Sequence, residues 1–218
     1  MTIYVFDNYI ETPCHDSFNR LVANRNLCGT YHVPSQFGFE STEGIPNPTA
    51  IILFGSGSNI DERLSWHRDL AEFTDKWLQK GVPCLGICFG HQLMADFYGG
   101  EIADLNEDRS KFSSYREIEV NKNLKKYKRG MTFEVGFSHM QVVKSLPDSM
   151  ESIAHSALSD YEIIRHKTLP FLSIQAHPEA ACSFLKEYSN VEDPVVMKHL
   201  QQQGDRFIDL FFESFGVV

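Results

Sequence analysis

The sequence predicts an α/β fold: a mostly parallel central sheet with helices on both faces and a small antiparallel β addition. Short apolar runs alternate with helix-like segments through the first half of the chain, a pattern typical of a parallel sheet covered on both faces. Between residues 114 and 175 the runs become shorter, more β-like and separated by turn residues, which favours antiparallel strands. The length of 218 residues predicts a single domain spanning 1–218.

The individual elements follow from the periodicity of the apolar residues. The predicted strands, in chain order, are 3–6, 31–33, 51–54, 84–87, 114–120, 152–156, 161–165 and 169–175. The predicted helices are 17–23, 61–80, 182–188 and 193–215, and residues 92–98 are predicted to form the first turns of a further helix. Residues 36–48 are polar and contain glycine and proline, so they predict a loop. Trp66 and Trp77 fall on the broad apolar side of the helix 61–80, which indicates core residues rather than a ligand platform.

The most informative stretch is the turn between the strand 84–87 and the helix-like run after it. Its sequence is Gly-Ile-Cys-Phe-Gly-His-Gln, so Gly86 and Gly90 stand two residues before and two residues after Cys88. So tight a turn needs glycines, because side chains would clash and some positions can require a positive φ. A thiol at a helix N-terminus lies at the positive end of the helix dipole, which favours the thiolate. Cys88 is therefore a candidate nucleophile, and the alternative is a buried, inert cysteine.

A thiol nucleophile needs a base, and His177 is the best candidate among the nine histidines. An apolar strand ends at His177, Pro178 stops the strand, and Glu179 follows two residues after the histidine. A carboxylate so close can orient the imidazole and stabilise the imidazolium. Cys88, His177 and Glu179 thus form a candidate triad of nucleophile, base and orienting group. Taken alone, the His-Pro-Glu tripeptide would favour a surface turn over a catalytic role.

The two motifs together resemble those of the class I (triad-type) glutamine amidotransferases, in order and in spacing. The resemblance extends from Ile3 to about Phe184 and implies a flavodoxin-like fold and hydrolysis of the side-chain amide of glutamine. By position it assigns the oxyanion-hole amides to Phe89 and Ser56, or to Gly57 if the register differs by one. This loop departs from the family pattern, because Gly57 stands where proline is usual and Asn59 where serine is usual. The competing interpretation of the loop, a dinucleotide-binding turn, lacks the third glycine of that fingerprint.

The same resemblance implies a substrate-binding segment at 137–143. It carries Gln92, Ser138 and Met140 over as substrate-binding candidates, and it places His139 near the substrate. His139 is also a rival base, although a packed loop histidine is the preferred interpretation, and His91 is expected to pack or to cap the helix. Many members of the family have aspartate where Gln141 stands, so the local charge is expected to differ.

Composition restricts the remaining possibilities. The net charge is −9, and the one basic patch, 122–129, lacks the stripe of a nucleic-acid footprint, so it predicts a solvated loop or a docking patch for a partner. No run approaches the ~20 apolar residues that cross a bilayer, and the N-terminus carries no visible secretory signal. The chain has five cysteines, which is an odd number, and their spacing contains no pairs typical of a metal site. This favours a reduced, cytoplasmic setting and no metal site. No cofactor is expected.

The fate of the ammonia divides the functional hypotheses. The first is a free-standing amidotransferase subunit, similar to that of guanylate (GMP) synthase, which passes ammonia to a separate synthetase subunit. The second is a hydrolase of γ-glutamyl amides or peptides without an acceptor. The third is a non-catalytic protein that senses glutamine or binds a partner. The sequence leaves open the ammonia acceptor and whether the chain forms a homodimer.

Overall fold

The computed structural model describes residues 2–25 and 27–217. Eleven β-strands are present in this part of the chain. They are β1 (Thr2–Phe6), β2 (Cys28–His32), β3 (Ala50–Leu53), β4 (Cys84–Ile87), β5 (Glu101–Asp104), β6 (Phe112–Val120), β7 (Thr132–His139), β8 (Gln141–Ser145), β9 (Met150–His155), β10 (Ile163–His166) and β11 (Phe171–Ile174). The helices are α1 (His15–Ala23), α2 (Pro34–Phe37), α3 (Ser65–Leu78), α4 (Phe89–Phe97), α5 (Cys182–Tyr188) and α6 (Pro194–Phe215), with 3₁₀ turns at Glu40–Thr42 and Ile60–Glu62.

Nine of these strands form one mixed sheet in the order β2-β1-β3-β4-β11-β10-β9-β6-β7. In the order of the sheet, the first five strands (β2, β1, β3, β4 and β11) run parallel to one another. From β11 onward, each strand is antiparallel to the next one in the sheet. The remaining two strands, β5 and β8, pair antiparallel in a separate small sheet. The α/β class predicted from the sequence is confirmed, and the antiparallel addition is mainly an extension of the central sheet.

The parallel strands are buried on both faces because helices cover each side. On one face, alternate strand residues such as Ile52 and Leu85 pack in one apolar cluster with Phe207 and Phe211 of α6. On the other face, the intervening residues pack with α3 and α4. Strands that are apolar at every position, as in Ala50–Leu53, follow from this double burial.

The carboxyl ends of neighbouring parallel strands meet at one edge of the sheet. β4 and β11 are adjacent, with Ile87 opposite Ile174. The next residues in each strand, Cys88 and Gln175, therefore leave the sheet side by side. Two motifs that are far apart in sequence meet here because of this strand pairing.

The structure differs from the sequence-based elements in three places. Strands β5, β7 and β8 were not predicted. The long second helix begins at Ser65 rather than at residue 61, because a 3₁₀ turn at Ile60–Glu62 ends with Arg63 in the left-handed conformation (φ 51°). The predicted loop 36–48 overlaps the end of α2, in which Pro34 supplies the φ angle of a first helical residue, and it contains the turn Glu40–Thr42.

Two features are absent from the described residues. No helix among them is both long enough and apolar enough to cross a membrane. No group of three or more histidine, cysteine, aspartate or glutamate side chains in the same residues is arranged to hold a metal ion.

Candidate active site

Cys88 lies at the sharp turn between β4 and α4. Its backbone has φ 50° and ψ −98°, a conformation that costs a non-glycine residue about 1–3 kcal/mol. The Cys88 N–H donates to the Ile174 carbonyl (2.9 Å), and the Cys88 carbonyl accepts from Gln92 N–H in the first helical turn (3.0 Å). These bonds hold the strained residue between a strand and a helix N-terminus, as a nucleophile elbow requires.

The two flanking glycines are needed for close packing and not for a positive φ. A Cβ on Gly86 would lie 2.7 Å from the Gly90 carbonyl oxygen, and a Cβ on Gly90 would lie 2.6 Å from Leu53 Cβ. The positive φ that the sequence suggested for this turn falls on Cys88 itself. The cysteine therefore carries the backbone strain, and the glycines allow the chain to turn so tightly.

His177 and Glu179 lie beside Cys88. The His177 Nδ1 is 2.8 Å from Glu179 Oε1, and both side chains are almost completely buried. The imidazole packs on Phe184, with ring centroids 4.3 Å apart, and the His177 N–H donates to the Gly136 carbonyl (2.9 Å). With Nδ1 bonded to the carboxylate, Nε2 is the nitrogen left to exchange a proton with the thiol.

Electrostatics favours the protonated imidazole. Burial lowers the pKa of His177, but the charges of Glu179 and Cys88, and hydrogen bonds to both, raise this pKa from its ordinary 6.5 to about 10. The negative partners therefore outweigh desolvation. The surroundings of His177 therefore favour its imidazolium form.

Unpaired backbone amides lie in the turn at Cys88 and in the loop after β3. Three N–H groups there, those of Ser56, Gly57 and Phe89, have no hydrogen-bond partner among the residues that the structure describes. Phe89 is the first residue of α4, where the amides have no intrahelical partner. The Ser56 side chain is fixed separately, because its hydroxyl donates to the Asn8 carbonyl (2.6 Å).

A cavity of about 130 Å³ lies beside His177. Ser56, Gly57 and Ser138, all predicted from the sequence, contribute to its lining. Its other walls were not foreseen: Tyr9, Ile10, Glu11, Thr12, Lys111, Phe184 and Tyr188.

Comparison with known proteins assigns the chain to a family. The model of glutamine amidotransferase class I matches residues 7–188. The chain belongs to this family.

Individual relatives agree with the assignment. The chain is 37% identical over 150 residues to one subunit of the glutamine-hydrolysing GMP synthase of Methanobrevibacter smithii, and the match covers 67% of this chain and 72% of the relative. It is 30% identical over 187 residues to the corresponding subunit of Archaeoglobus fulgidus, with 82% of this chain and 89% of the relative covered. In fold it is similar to a glutamine amidotransferase from Thermotoga maritima, with a TM-score of 0.74 at 14% identity and coverage of 99% and 98%.

The amidotransferase residues predicted to bind substrate fall in different surroundings. Ser138 lines the cavity, and its hydroxyl lies 2.8 Å from that of Ser113. Gln92 is buried, and its amide donates to the Gln141 carbonyl (2.5 Å) and to Gln175 (3.2 Å). Met140 is half-buried, and its carbonyl accepts from Leu105 N–H (2.8 Å). Ser138 is thus the one of the three that borders the cavity.

His139 lies in a buried network at the end of β7. Its Nε2 is 3.1 Å from Arg116, whose guanidinium also donates to the buried Glu162 (2.7 Å). Burial, followed by the positive charge of Arg116, holds the pKa of His139 well below its ordinary value. With Nε2 bonded to a cation, His139 is poorly suited to be the rival base. His91 is packed in the same region, fully buried, with Nδ1 3.0 Å from the Ser173 hydroxyl.

Gln141 uses both ends of its side-chain amide in a polar cluster. Its amide oxygen accepts from Ile60 N–H (2.9 Å), and its amide nitrogen donates to Asp61 (2.9 Å) and Asp104 (3.2 Å). Arg109 closes the cluster through both aspartates. An aspartate at 141 would lose both donated bonds and add a third negative charge.

Two features of the site escaped sequence reasoning. Gln175 lies next to the nucleophile, with its amide nitrogen 3.8 Å from Cys88 Sγ. The stretch 9–12 walls the cavity because buried Asp7 accepts from the N–H groups of Tyr9 (3.0 Å) and Cys14 (2.5 Å) and from the Tyr31 hydroxyl. For Gln175, the sequence offered one signal, which is its position two residues before His177. For the stretch 9–12 it offered none, because the hydrogen bonds of Asp7 leave no pattern in the sequence.

Proposed function

We propose that the chain, acting as one domain over 1–218, hydrolyses the side-chain amide of glutamine and delivers ammonia to a separate synthetase subunit. The observation that carries the proposal is the buried His177–Glu179 pair beside a cysteine held in a strained elbow. Membership of the class I glutamine amidotransferases supports the same chemistry.

The proposed reaction begins with the Cys88 thiolate, which attacks the γ-carbonyl carbon of glutamine. His177 then gives its proton to the leaving nitrogen, so ammonia departs and a γ-glutamyl thioester forms on the sulfur. Water attacks the thioester while His177 takes one of its protons. The C–S bond breaks, glutamate leaves, and the thiolate–imidazolium pair is restored. Glu179 keeps the imidazole oriented throughout.

The oxyanion formed at each attack is assigned to the N–H groups of Phe89 and Ser56. Both amides lack a protein partner in the described residues, so a ligand meets no competitor there. Each such donor is worth roughly 3–4 kcal/mol of barrier in a preorganised site. The side chain of Ser56 is not needed for this role.

The proposed partner is the synthetase subunit of a two-subunit GMP synthase. The relatives named as separate subunits of that enzyme support this choice, since they match this chain over most of their length. Co-purification of the tagged chain with the synthetase subunit, together with glutamine-dependent GMP formation by the mixture, would test it. Glutamine-dependent amination that needs both chains is expected, and size-exclusion chromatography would separate this heteromer from a homodimer.

The decisive experiment measures glutamate and ammonia release from glutamine by the wild type and by Cys88→Ala. We expect turnover in the wild type, alone or with the synthetase subunit, and loss on the order of 10⁴-fold or more in the variant. Cys28→Ala is the matched control, because Cys28 is exposed and lies at the far edge of the sheet. Full activity of Cys88→Ala would refute the assignment.

One observation favours a second candidate, hydrolysis of larger γ-glutamyl amides without an acceptor. The cavity beside His177 has a volume of about 130 Å³. Aromatic side chains of Tyr9, Phe184 and Tyr188 form part of its wall. A kcat/KM for γ-glutamyl anilide or γ-glutamyl alkylamides above that for glutamine would favour this candidate.

A further inference from the structure

The loop after β3, which carries the proposed oxyanion donor Ser56, is held by side chains. Ser58 N–H donates to Ser56 Oγ (3.0 Å), and the Ser56 hydroxyl donates to the Asn8 carbonyl (2.6 Å). The Ser58 hydroxyl in turn lies 2.5 Å from Glu62 Oε2 and 2.9 Å from His67 Nε2. Gly57 restricts the backbone of this loop little, so these side-chain bonds supply its restraint.

The direction of each bond in this chain is fixed by chemistry. A hydroxyl has one proton, and a carboxylate can only accept, so Ser58 gives its proton to Glu62. The bond to His67 must then run from the imidazole Nε2–H to the Ser58 oxygen. Burial lowers the pKa of His67, which agrees with a neutral ring protonated on Nε2. His67 is thus a donor to the side chain of Ser58, and the backbone N–H of Ser58 in turn donates to the Ser56 hydroxyl.

His67 also touches the other proposed oxyanion donor. Its ring meets the Phe89 ring edge-to-face, with centroids 5.0 Å apart, and Trp66 packs on Phe89 at 5.3 Å. Phe89 directly follows the nucleophile and supplies the second amide. His67 is 4% exposed, so both contacts are inside the protein.

We propose that His67 is a positioning residue that fixes the two oxyanion donors relative to each other. One side of its ring holds the Ser56 segment through Ser58, and another side packs against Phe89. The proposal rests on the proposed function, since it assumes that an oxyanion forms at Cys88. Losing His67 leaves both donors present but less well placed, so we expect kcat to fall on the order of 10- to 100-fold, less than for removal of a donor.

Two substitutions separate the contacts of His67. His67→Phe keeps a ring against Phe89 and removes the bond to Ser58, whereas His67→Gln keeps an N–H at the position of Nε2 and removes the ring. We expect kcat to fall in both variants, with KM for glutamine changed less than about threefold. The effects of His67→Phe and Ser58→Ala should be non-additive, because both remove the same hydrogen bond.

His166→Phe is the matched control, since His166 is another buried histidine at the opposite end of the sheet.

The rate of Cys88 alkylation by iodoacetamide distinguishes positioning from general damage. Displacement of iodide forms no oxyanion, so this rate should stay at the wild-type value while kcat falls. A wild-type kcat in both His67 variants, or an equal fall in alkylation and kcat, would overturn the proposal. A wild type that alkylates normally but releases no glutamate from glutamine, with or without the synthetase subunit, would instead refute the proposed function, and this inference with it.

Discussion

Gly55 lies between the loop after β3 and the imidazole of His177, and adding one methyl group there should displace this proposed base. A Cβ at this position would lie 2.7 Å from His177 Cε1 and 3.6 Å from Cys88 Cβ. Carbon atoms in contact prefer about 3.5–4.0 Å, so the imidazole or the loop must move by about 0.8 Å or more. His177 cannot retreat easily, because it is bonded to Glu179 and packed on Phe184. A misplacement near 1 Å can cost about 10²-fold in rate.

We therefore expect Gly55→Ala to lower kcat/KM for glutamine by about 10²-fold while the protein remains folded. Overpacking of this kind costs about 1–3 kcal/mol, and the midpoint of thermal unfolding should fall by roughly 2–4 °C for each kcal/mol. The assay is the initial rate of glutamate release across a range of glutamine concentrations, with thermal unfolding in parallel. Gly44→Ala is the control, because Gly44 has φ +71° and no atom within 4 Å of an added Cβ. That variant should lose stability and keep its rate.

The reasoning fails if Gly55→Ala has the kcat/KM of the wild type. It also fails if Gly44→Ala, at a similar loss of stability, loses as much activity. In either case the distance between the loop and the imidazole would not govern the rate.

Four further predictions concern the proposed triad, the loop after β3 and the cluster around Gln141. The charge of Glu179 helps to raise the pKa of His177 to about 10, so the rate of the wild type should fall only as the pH rises through about 10. In a pH–rate profile, Glu179→Gln should move this alkaline fall of the rate to lower pH. The same raised pKa contributes stability that is complete below the ordinary 6.5 and is lost as the pH rises through about 10. Gly57→Pro removes one backbone N–H, and kcat should stay within about threefold of the wild type if Ser56 is the oxyanion donor. A loss of about 10²-fold or more in the steady-state rate would mean that Gly57 is the donor. Gln141→Glu adds a carboxylate to two others, so its unfolding midpoint should fall below that of the wild type, and by more at pH 8 than at pH 5.

Each of these has a clear contrary result. If the alkaline fall of the rate were unchanged in Glu179→Gln, the orienting group of the triad would be another residue. Gly57→Ala keeps its N–H and serves as the control for Gly57→Pro. Equal unfolding midpoints of Gln141→Glu and the wild type at both pH values would mean that the aspartates do not depend on the amide.

The geometry of the elbow and of the His177–Glu179 pair could be predicted because each depends on local chemistry. Glycines at fixed offsets from Cys88 encode the elbow, and the proximity of Glu179 to His177 in sequence encodes their hydrogen bond. The sequence did not indicate that the positive φ would fall on Cys88, since this depends on how β4 and α4 meet. Residue types such as glycine, serine and cysteine are compatible with several backbone conformations, so they do not indicate which position takes the positive φ.

What could not be predicted depends on contacts between distant residues. The 3₁₀ turn before α3 is held by the bond from Ile60 to Gln141, which is 81 residues away. The wall formed by 9–12 depends on Asp7 and Tyr31, and local patterns carry no sign of it. Strand β7 contains Gly136, where a Cβ would lie 2.5 Å from Leu185, so a residue that weakens the strand pattern is required by packing.

The position of β11 in the sheet has a consequence for how the protein acquires activity as it folds. This strand carries the base side of the site and lies between β4 and β10, yet it is the last strand in the described part of the chain. During synthesis, the elbow emerges from the ribosome long before the residues that complete the triad. Contacts between such distant segments form slowly, because a long loop must be ordered before it is stabilised. A nascent chain that ends before Phe171 would therefore carry the cysteine without its base, and hydrolysis would begin only once the antiparallel half of the sheet has been synthesised.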